Sequence, residues 1–142
     1  MEPIKKMVKQ ASTQVERERD AFASTLGITG VQMSVIDFLA NQPGHTSPQN
    51  AIAHEFGIKR STTTVMVQRM AKRGLVQRIN AENDKRQKLV QLMPMAEKLI
   101  SRIRTYMIDD DQKLRAHFAS DELAVVQRVL DFIKEGTAHE ID

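Results

Sequence analysis

The chain has 142 residues, a formal net charge of only +3, no cysteine and no tryptophan. This length fits one domain, or a small domain with appended helices. The absence of cysteine excludes a disulfide framework, a thiolate metal site and a cysteine redox switch. No apolar run approaches the roughly 20 residues that a membrane span requires, and the N-terminus lacks the apolar core of a signal peptide. We therefore expect a cytoplasmic protein that does not interact with a membrane.

The first part of the sequence predicts two helices. Apolar residues recur at helical spacing from Ile4 to Leu26, and Gly27 ends this pattern. Thr29 and Gln32 have the spacing of a capping box, so a second helix should begin there and end at Pro43-Gly44.

The next segment predicts a short helix and a glycine turn. Ser47-Pro48 is a typical helix start, because serine can cap free amide groups and proline suits the first helical turn. The helix should end at Gly57, which can adopt a positive φ. Ala53 and Gly57 have the spacing of a helix-turn-helix, in which alanine lets the two helices pack closely and glycine forms the turn.

A second helix of this motif is predicted from about Arg60 to Arg73. One stripe should be buried, formed by Thr63, Met66, Val67 and Met70. The Thr63 hydroxyl then needs a partner, for which we expect a carbonyl one turn earlier. The opposite face carries polar residues and should enter the major groove of DNA with its N-terminal part.

The remaining sequence predicts a hairpin and two further helices. Leu75–Ile79 and Leu89–Leu92 are β-prone runs joined by a polar loop, Asn80–Lys88. After Pro94, helical spacing returns and predicts one long helix extending toward Phe118, and Ser120 begins a last helix. We therefore expect a mainly α fold: a winged helix-turn-helix with a two- or three-stranded β wing, flanked by amphipathic terminal helices.

Positive charge is concentrated in the central segment. Between Lys59 and Lys88 there are nine basic and two acidic residues, which gives this segment +7 and leaves −4 for the rest of the chain. A basic segment in an otherwise acidic molecule is typical of polyanion binding. A solvated helix face is the alternative, but it accounts poorly for so one-sided a cluster.

These patterns predict a set of DNA contacts. In the second helix, hydroxyls can donate to phosphates or bases, Gln68 can read adenine and Val65 can contact a thymine methyl. In the wing, Arg86 is the candidate for the minor groove, because arginine is weakly hydrated and always charged. The predicted DNA-binding residues are Arg60, Ser61, Thr62, Thr64, Val65, Gln68, Arg69, Lys85, Arg86 and Lys88.

Asp84 has a different predicted role. Phosphate repels a carboxylate, so we expect Asp84 to orient a neighbouring arginine through charge-assisted hydrogen bonds, with Arg86 or Arg78 as its partner. The alternative is that Asp84 simply forms a turn.

The wing sequence resembles that of a known family. Asp84-Lys85-Arg86 ahead of Leu89–Leu92, with Gly74-Leu75-Val76 and Arg78, is similar to the MarR family of bacterial transcriptional regulators. The resemblance implies a homodimer built from the terminal helices (1–28 and 94–142), a DNA-binding lobe (29–93) and a pseudo-palindromic double-stranded operator. It often implies a repressor released by a small ligand. We expect no cofactor.

The sequence departs from the family pattern at several points. Met93 and Ala96 stand where the family commonly has threonine and glycine, so the following helix should lack its usual N-cap. Val65 replaces a residue that is commonly polar or basic, which leaves the operator sequence open. Because there is no cysteine, the peroxide-sensing branch of the family is excluded.

Other interpretations carry less support. No glycine-rich phosphate loop, nucleophile elbow or His–carboxylate constellation favours an enzyme. A helical interaction protein without a specific DNA target is one alternative. A metal-responsive regulator is another, with Asp109-Asp110-Asp111 and His117 as ligands, although consecutive carboxylates on a helix point in different directions.

An effector pocket is a weaker hypothesis. Small aromatic or lipophilic ligands would fit a cavity lined by methionine and aromatic side chains, although such residues at helical spacing are more often plain core. The candidate lining residues are Met7, Phe22, Met33, Phe38 and Tyr106.

Overall fold

The computed structural model describes residues 1–81 and 84–136, and for Asp84 and Lys85 it describes the backbone alone. The helices are α1 (Ile4–Thr25), α2 (Gly30–Ala40), α3 (Gln49–Phe56), α4 (Arg60–Lys72), α5 (Pro94–Glu97), α6 (Ile100–Arg115) and α7 (Ser120–Glu135). The strands are β1 (Thr46–Pro48), β2 (Val76–Ala81) and β3 (Asp84–Leu92), and a 3₁₀ turn covers Pro43–His45. The mainly helical winged fold expected from the sequence is confirmed.

Local signals place the first helices where the sequence predicts them. The Thr29 hydroxyl accepts from the Gln32 amide at 3.1 Å, and the Gln32 side chain accepts from the Thr29 amide at 3.1 Å. This capping box satisfies two amides that would otherwise be unpaired at the start of α2. Gly57 ends α3 in the left-handed region (φ 61°), as its position in the turn requires.

The predicted capping role of Ser47 is wrong, although the helix itself begins at Gln49, one residue after the expected Pro48. Ser47 lies in β1 and pairs with Val90 of β3, and it is 3% exposed. Its hydroxyl donates to the Pro48 carbonyl at 3.0 Å, so α3 begins at Gln49 without a side-chain cap. Strand pairing with a segment far along the chain thus overrides a good local capping signal.

The strands of the wing are longer than the sequence suggests. The predicted loop Asn80–Lys88 is largely part of the ladder, since Asn80 is in register with Lys88 and Ala81 with Asp84, beside a bulge. Strand order is β1–β3–β2, all antiparallel, so the sheet has three strands. Polar residues continue the ladder here because backbone pairing does not require a buried face.

The single long helix predicted after Pro94 is broken. The α5 segment ends at Glu97, α6 begins at Ile100, and α6 ends at Arg115 rather than reaching Phe118. As expected from Met93, no side chain caps α5.

The chain forms two compact units, Met1–Ile103 and Arg104–Asp142. The first contains the helix-turn-helix and the wing around a core of fully buried residues that include Met33, Ile36, Leu39, Ile52, Val67, Met70 and Val90. In the second unit no residue of α7 is buried, and its exposed apolar residues include Val126, Val129, Leu130 and Phe132. The predicted split into dimerisation helices and a DNA-binding lobe concerns assembly with a second copy and stays a prediction.

Within the described ranges, no helix taken alone has the length and apolarity of a membrane span. Only α1 and α2 counted together reach that length and apolarity, and the chain is bent by 82° between them.

Gly30 allows a close approach of α2 to α1. A Cβ at this position would lie 2.6 Å from Asp20 Oδ1 and 3.1 Å from the Asp20 backbone nitrogen. The Gly30 amide donates to that same Oδ1 at 2.7 Å. Alanine normally favours a helix over glycine, but here the added methyl overlaps the Asp20 carboxylate and lies tightly against the α1 backbone.

We expect Gly30→Ala to lower the free energy of unfolding by roughly 1–3 kcal/mol, the usual cost of overpacking. Urea denaturation at fixed protein concentration measures this change. Val31→Ala is the control, because Val31 is in the same first turn and is 57% exposed. A Gly30→Ala protein as stable as the parent would contradict the close approach.

Candidate nucleic-acid interface

The two faces of α4 differ in burial as the sequence predicts. Thr63, Val67 and Met70 are buried, and Met66 at the edge of the stripe is only partly so. The other face is exposed at Arg60, Ser61, Thr62, Val65, Gln68 and Arg69, while Thr64 is partly buried. Because α3 packs against α4 and α4 against β2, this polar face is held on a rigid support.

Two consecutive threonines bond back onto the start of α4. Thr63 Oγ1 donates to the Lys59 carbonyl at 2.9 Å, which confirms the expected partner for this buried hydroxyl. Thr64 Oγ1 donates to the Arg60 carbonyl at 3.0 Å, and it also accepts from Gln49 Nε2 at 2.9 Å. The Thr64 hydroxyl therefore already has two protein partners, in contrast to the free donor expected from the sequence.

An open cleft of about 430 Å³ lies between the helix-turn-helix and the wing. Polar and cationic side chains dominate its lining, which α3, α4 and β3 supply. The lining residues are Gln49, Asn50, Ala53, Arg60, Thr63, Thr64, Arg86, Gln87 and Lys88. Three cations on one concave surface make it suited to an anionic partner.

The predicted wing residues are described in part. Arg86 is exposed on β3, and Lys88 Nζ donates to Asn80 Oδ1 at 2.5 Å across the β2–β3 ladder. Arg78 is partly buried on β2. The side chains of Asp84 and Lys85 lie outside the described residues, so the orienting role of Asp84 stays a prediction.

One cation of the basic segment serves the fold. Arg73, at the end of α4, donates to Gln32 Oε1 at 3.2 Å and to the Gly27 carbonyl. These bonds hold the end of α4 to the corner between α1 and α2. Arg73 contributes charge to the segment, but its guanidinium is committed to this corner.

The candidate effector residues have different surroundings. Met33 is fully buried in the first unit, whereas Met7 is 48% exposed. Phe38 packs edge-to-face on Phe56 with ring centroids 6.1 Å apart, which is ordinary core packing. Phe22 is partly buried, and Tyr106, also partly buried, belongs to the second unit. The pocket stays a prediction.

The proposed metal ligands do not converge. Across residues 1–81 and 84–136, no three His, Asp or Glu side chains form a possible metal site. Asp111 accepts from Arg115 Nε at 2.7 Å, and His117 Nδ1 donates to the Lys113 carbonyl at 2.7 Å. Nothing in these ranges supports the metal-responsive alternative.

Two residues of the cleft were not among the sequence predictions. Gln49 and Asn50 form the first turn of α3 and line the cleft beside α4. The Ser47-Pro48 signal pointed to a helix start nearby, but the Gln49–Thr64 contact depends on how α3 crosses α4, which no local pattern encodes.

Comparisons with known proteins agree with this architecture. A family model described as MarR family matches residues 26–87, and no curated protein matches. The crystal structure of the transcription regulator MarR from Oenococcus oeni PSU-1 is 32% identical, covers 94% of this chain and 100% of that chain, and has a TM-score of 0.81.

Two solved structures with DNA share the fold. The S. aureus MepR–DNA complex is 17% identical, with 95% of this chain and 98% of that chain covered and a TM-score of 0.86. A mutant MarR from E. coli complexed with operator DNA is 21% identical, with 92% and 93% covered and a TM-score of 0.79. The winged helix-turn-helix, its cationic cleft and full-length similarity at 32% identity lead to one conclusion: the chain belongs to the MarR family of transcriptional regulators.

Proposed function

We propose that this protein binds double-stranded DNA in a sequence-specific manner as a cytoplasmic homodimer and acts as a repressor that a small ligand relieves. It has no enzymatic role in this proposal. The observation that carries the proposal is the exposed polar face of α4 beside a cleft lined by Arg60, Arg86 and Lys88. Solved structures of the same fold hold DNA, which supports the same class of partner here.

The contacts divide between the major and the minor groove. Ser61, Thr62, Thr64, Val65 and Gln68 would face base edges in the major groove. Arg60, Arg69, Lys85 and Lys88 would neutralise phosphates, and Arg86 would enter the minor groove from the wing. Phosphate contacts set affinity and orientation, whereas the base contacts set the operator sequence.

Homodimer formation is supported by an uncovered apolar face. On α7, Val126, Val129, Leu130 and Phe132 are between 39% and 52% exposed. A face of this kind on a helix without buried residues is typical of a protein–protein interface. A twofold dimer would present two α4 helices to a pseudo-palindromic operator, with half-sites about one helical turn (roughly 34–36 Å) apart.

Ligand relief is the further part of this proposal. A small aromatic or lipophilic effector among Met7, Phe22, Met33, Phe38 and Tyr106 would alter the spacing of the two α4 helices, and a misplaced helix loses its half-site. Unchanged DNA affinity with a bound effector would argue against this part of the proposal.

The proposal is tested by binding to duplex DNA over a range of salt concentrations. The logarithm of the binding constant should fall linearly with the logarithm of salt concentration, because bound cations release counterions from phosphate. Footprinting of genomic DNA with the purified protein then identifies the operator. A monomer that ignores duplex DNA at low salt would refute the proposed function.

Replacing Lys88 should reduce this salt dependence. We expect Lys88→Ala to lower the slope by about 0.9 for each phosphate that the side chain no longer neutralises and to weaken operator and non-operator DNA equally. Lys9→Ala on α1 removes the same charge from an exposed position and should leave the slope unchanged. A slope that is the same in Lys88→Ala and the parent would remove Lys88 from the phosphate contacts.

A further inference from the structure

The hydroxyl of Thr64 is constrained in what it can offer to DNA. A threonine hydroxyl has one proton to donate and two lone pairs to accept with. Thr64 Oγ1 lies 3.0 Å from the Arg60 carbonyl, which can only accept, so the proton is directed there. Gln49 Nε2 donates to the same oxygen at 2.9 Å and occupies one lone pair. One lone pair is left, and it can only accept.

Gln49 is well placed to maintain this arrangement. It is partly buried in the first turn of α3, one helical turn before Ala53, whose small side chain lets α3 pack closely on α4. Its Oε1 is buried and has no hydrogen-bond partner among the described residues. Among the described residues, the Gln49 side chain bonds only to Thr64. Two partners, one on α3 and one on α4, thus hold the Thr64 side chain in one orientation.

We propose that Gln49 is a positioning residue that makes Thr64 an obligate hydrogen-bond acceptor, so that Thr64 selects a base with an exocyclic amino group, adenine or cytosine, on the strand it contacts. This inference rests on the proposed function, because it requires α4 to lie in the major groove. Adenine N6 and cytosine N4 are the donors displayed there, whereas thymine O4 and guanine O6 are acceptors. Phosphate oxygens carry no proton, so Thr64 would not be a phosphate contact.

The chemistry also defines what replacing Gln49 should do. Without its amide, the Thr64 side chain keeps only the bond to its own helix and can rotate to donate elsewhere. Base preference at the contacted position should broaden, while preferences set by Gln68 and Val65 should remain. A role of Gln49 in stability alone would instead lower affinity for all sequences together.

The experiment selects binding sites from a duplex library with a randomised centre, using the parent protein and five variants. Gln49→Met removes the amide at similar size, Thr64→Val removes the hydroxyl at similar size, and a third variant combines both. Thr64→Ser keeps the hydroxyl. A matched control is Gln77→Ala, because Gln77 Nε2 also donates to a neighbouring side chain, Gln91 Oε1 at 2.7 Å, but on the sheet.

We expect one position of each half-site to prefer adenine or cytosine with the parent, Thr64→Ser and Gln77→Ala. This preference should weaken roughly 2- to 12-fold in Gln49→Met and in Thr64→Val, which is the range for one neutral hydrogen bond. The combined variant should lose no more than Thr64→Val alone, because both substitutions act through one oxygen. Replacing the selected base by an analogue without its amino group should weaken the parent by the same factor and leave Thr64→Val unaffected.

Two results would overturn the inference while leaving DNA binding intact. One is an unchanged base preference in Gln49→Met, and the other is a Thr64-dependent preference for thymine or guanine, which would mean that the hydroxyl donates. If Gln49→Met also changes the thermal unfolding midpoint, the ratio of affinities for the natural base and its analogue is compared between Gln49→Met and the parent, because a general loss of stability lowers both affinities alike. A parent protein that binds no duplex at low salt would instead refute the proposed function and the inference with it.

Discussion

Val67→Ala should lower the free energy of unfolding by about 2 kcal/mol, whereas Val65→Ala, two residues earlier on the same helix, should leave it nearly unchanged. Val67 is fully buried and Val65 is 45% exposed. The truncation of Val67 removes buried methyl groups and leaves a cavity. The substitution and its effect on helix propensity are the same at both positions, so the difference between the two variants isolates burial.

Urea denaturation followed by circular dichroism measures both variants, at one protein concentration because a dimer's stability depends on it. Val65→Ala also tests the role of the outer face of α4 in DNA binding. Val65→Ala should weaken binding to the selected operator, since its side chain is expected to contact a thymine methyl. An equal decrease in stability in the two variants would contradict the assignment of the inner and outer faces.

Arg86→Ala should cost roughly 1–3 kcal/mol of operator binding, which corresponds to about a 5- to 150-fold weaker affinity. Arg86 is exposed on β3 and lines the cleft beside α4. A guanidinium that enters the narrow minor groove gains from the strong negative potential there and is only weakly hydrated. Electrophoretic mobility shift or fluorescence anisotropy at fixed salt concentration gives the affinity.

Two further variants separate shape from charge. Arg86→Lys keeps the positive charge but lacks the planar guanidinium. If the groove contact is specific, its affinity should lie between those of Arg86→Ala and the parent. Arg17→Ala removes one exposed positive charge from α1 and should have little effect. Parent-like operator affinity in Arg86→Ala would exclude the wing from recognition.

Most helices follow from short-range patterns. The capping box of Thr29 and Gln32, the turn at Gly57 and the buried stripe of α4 each involve residues within two helical turns. Periodicity and capping act over this range, so the sequence could determine α1, α2 and α4 and, through its motif and charge, the family. The basic character of the wing could also be predicted, because the density of charged residues is read directly from the sequence.

Only the tertiary structure decided the features that depend on distant partners. Ser47 looks like a helix cap, but pairing with Val90 in the sheet makes it a strand residue. Arg73 is one of the cations of the basic segment, but its guanidinium donates to Gln32, 41 positions away in the sequence. Gln49 and Thr64, 15 positions apart, meet because α3 packs on α4. At Ser47, pairing in the sheet outweighs a local capping preference of about 1 kcal/mol. In all three cases, no short window of sequence contains both partners.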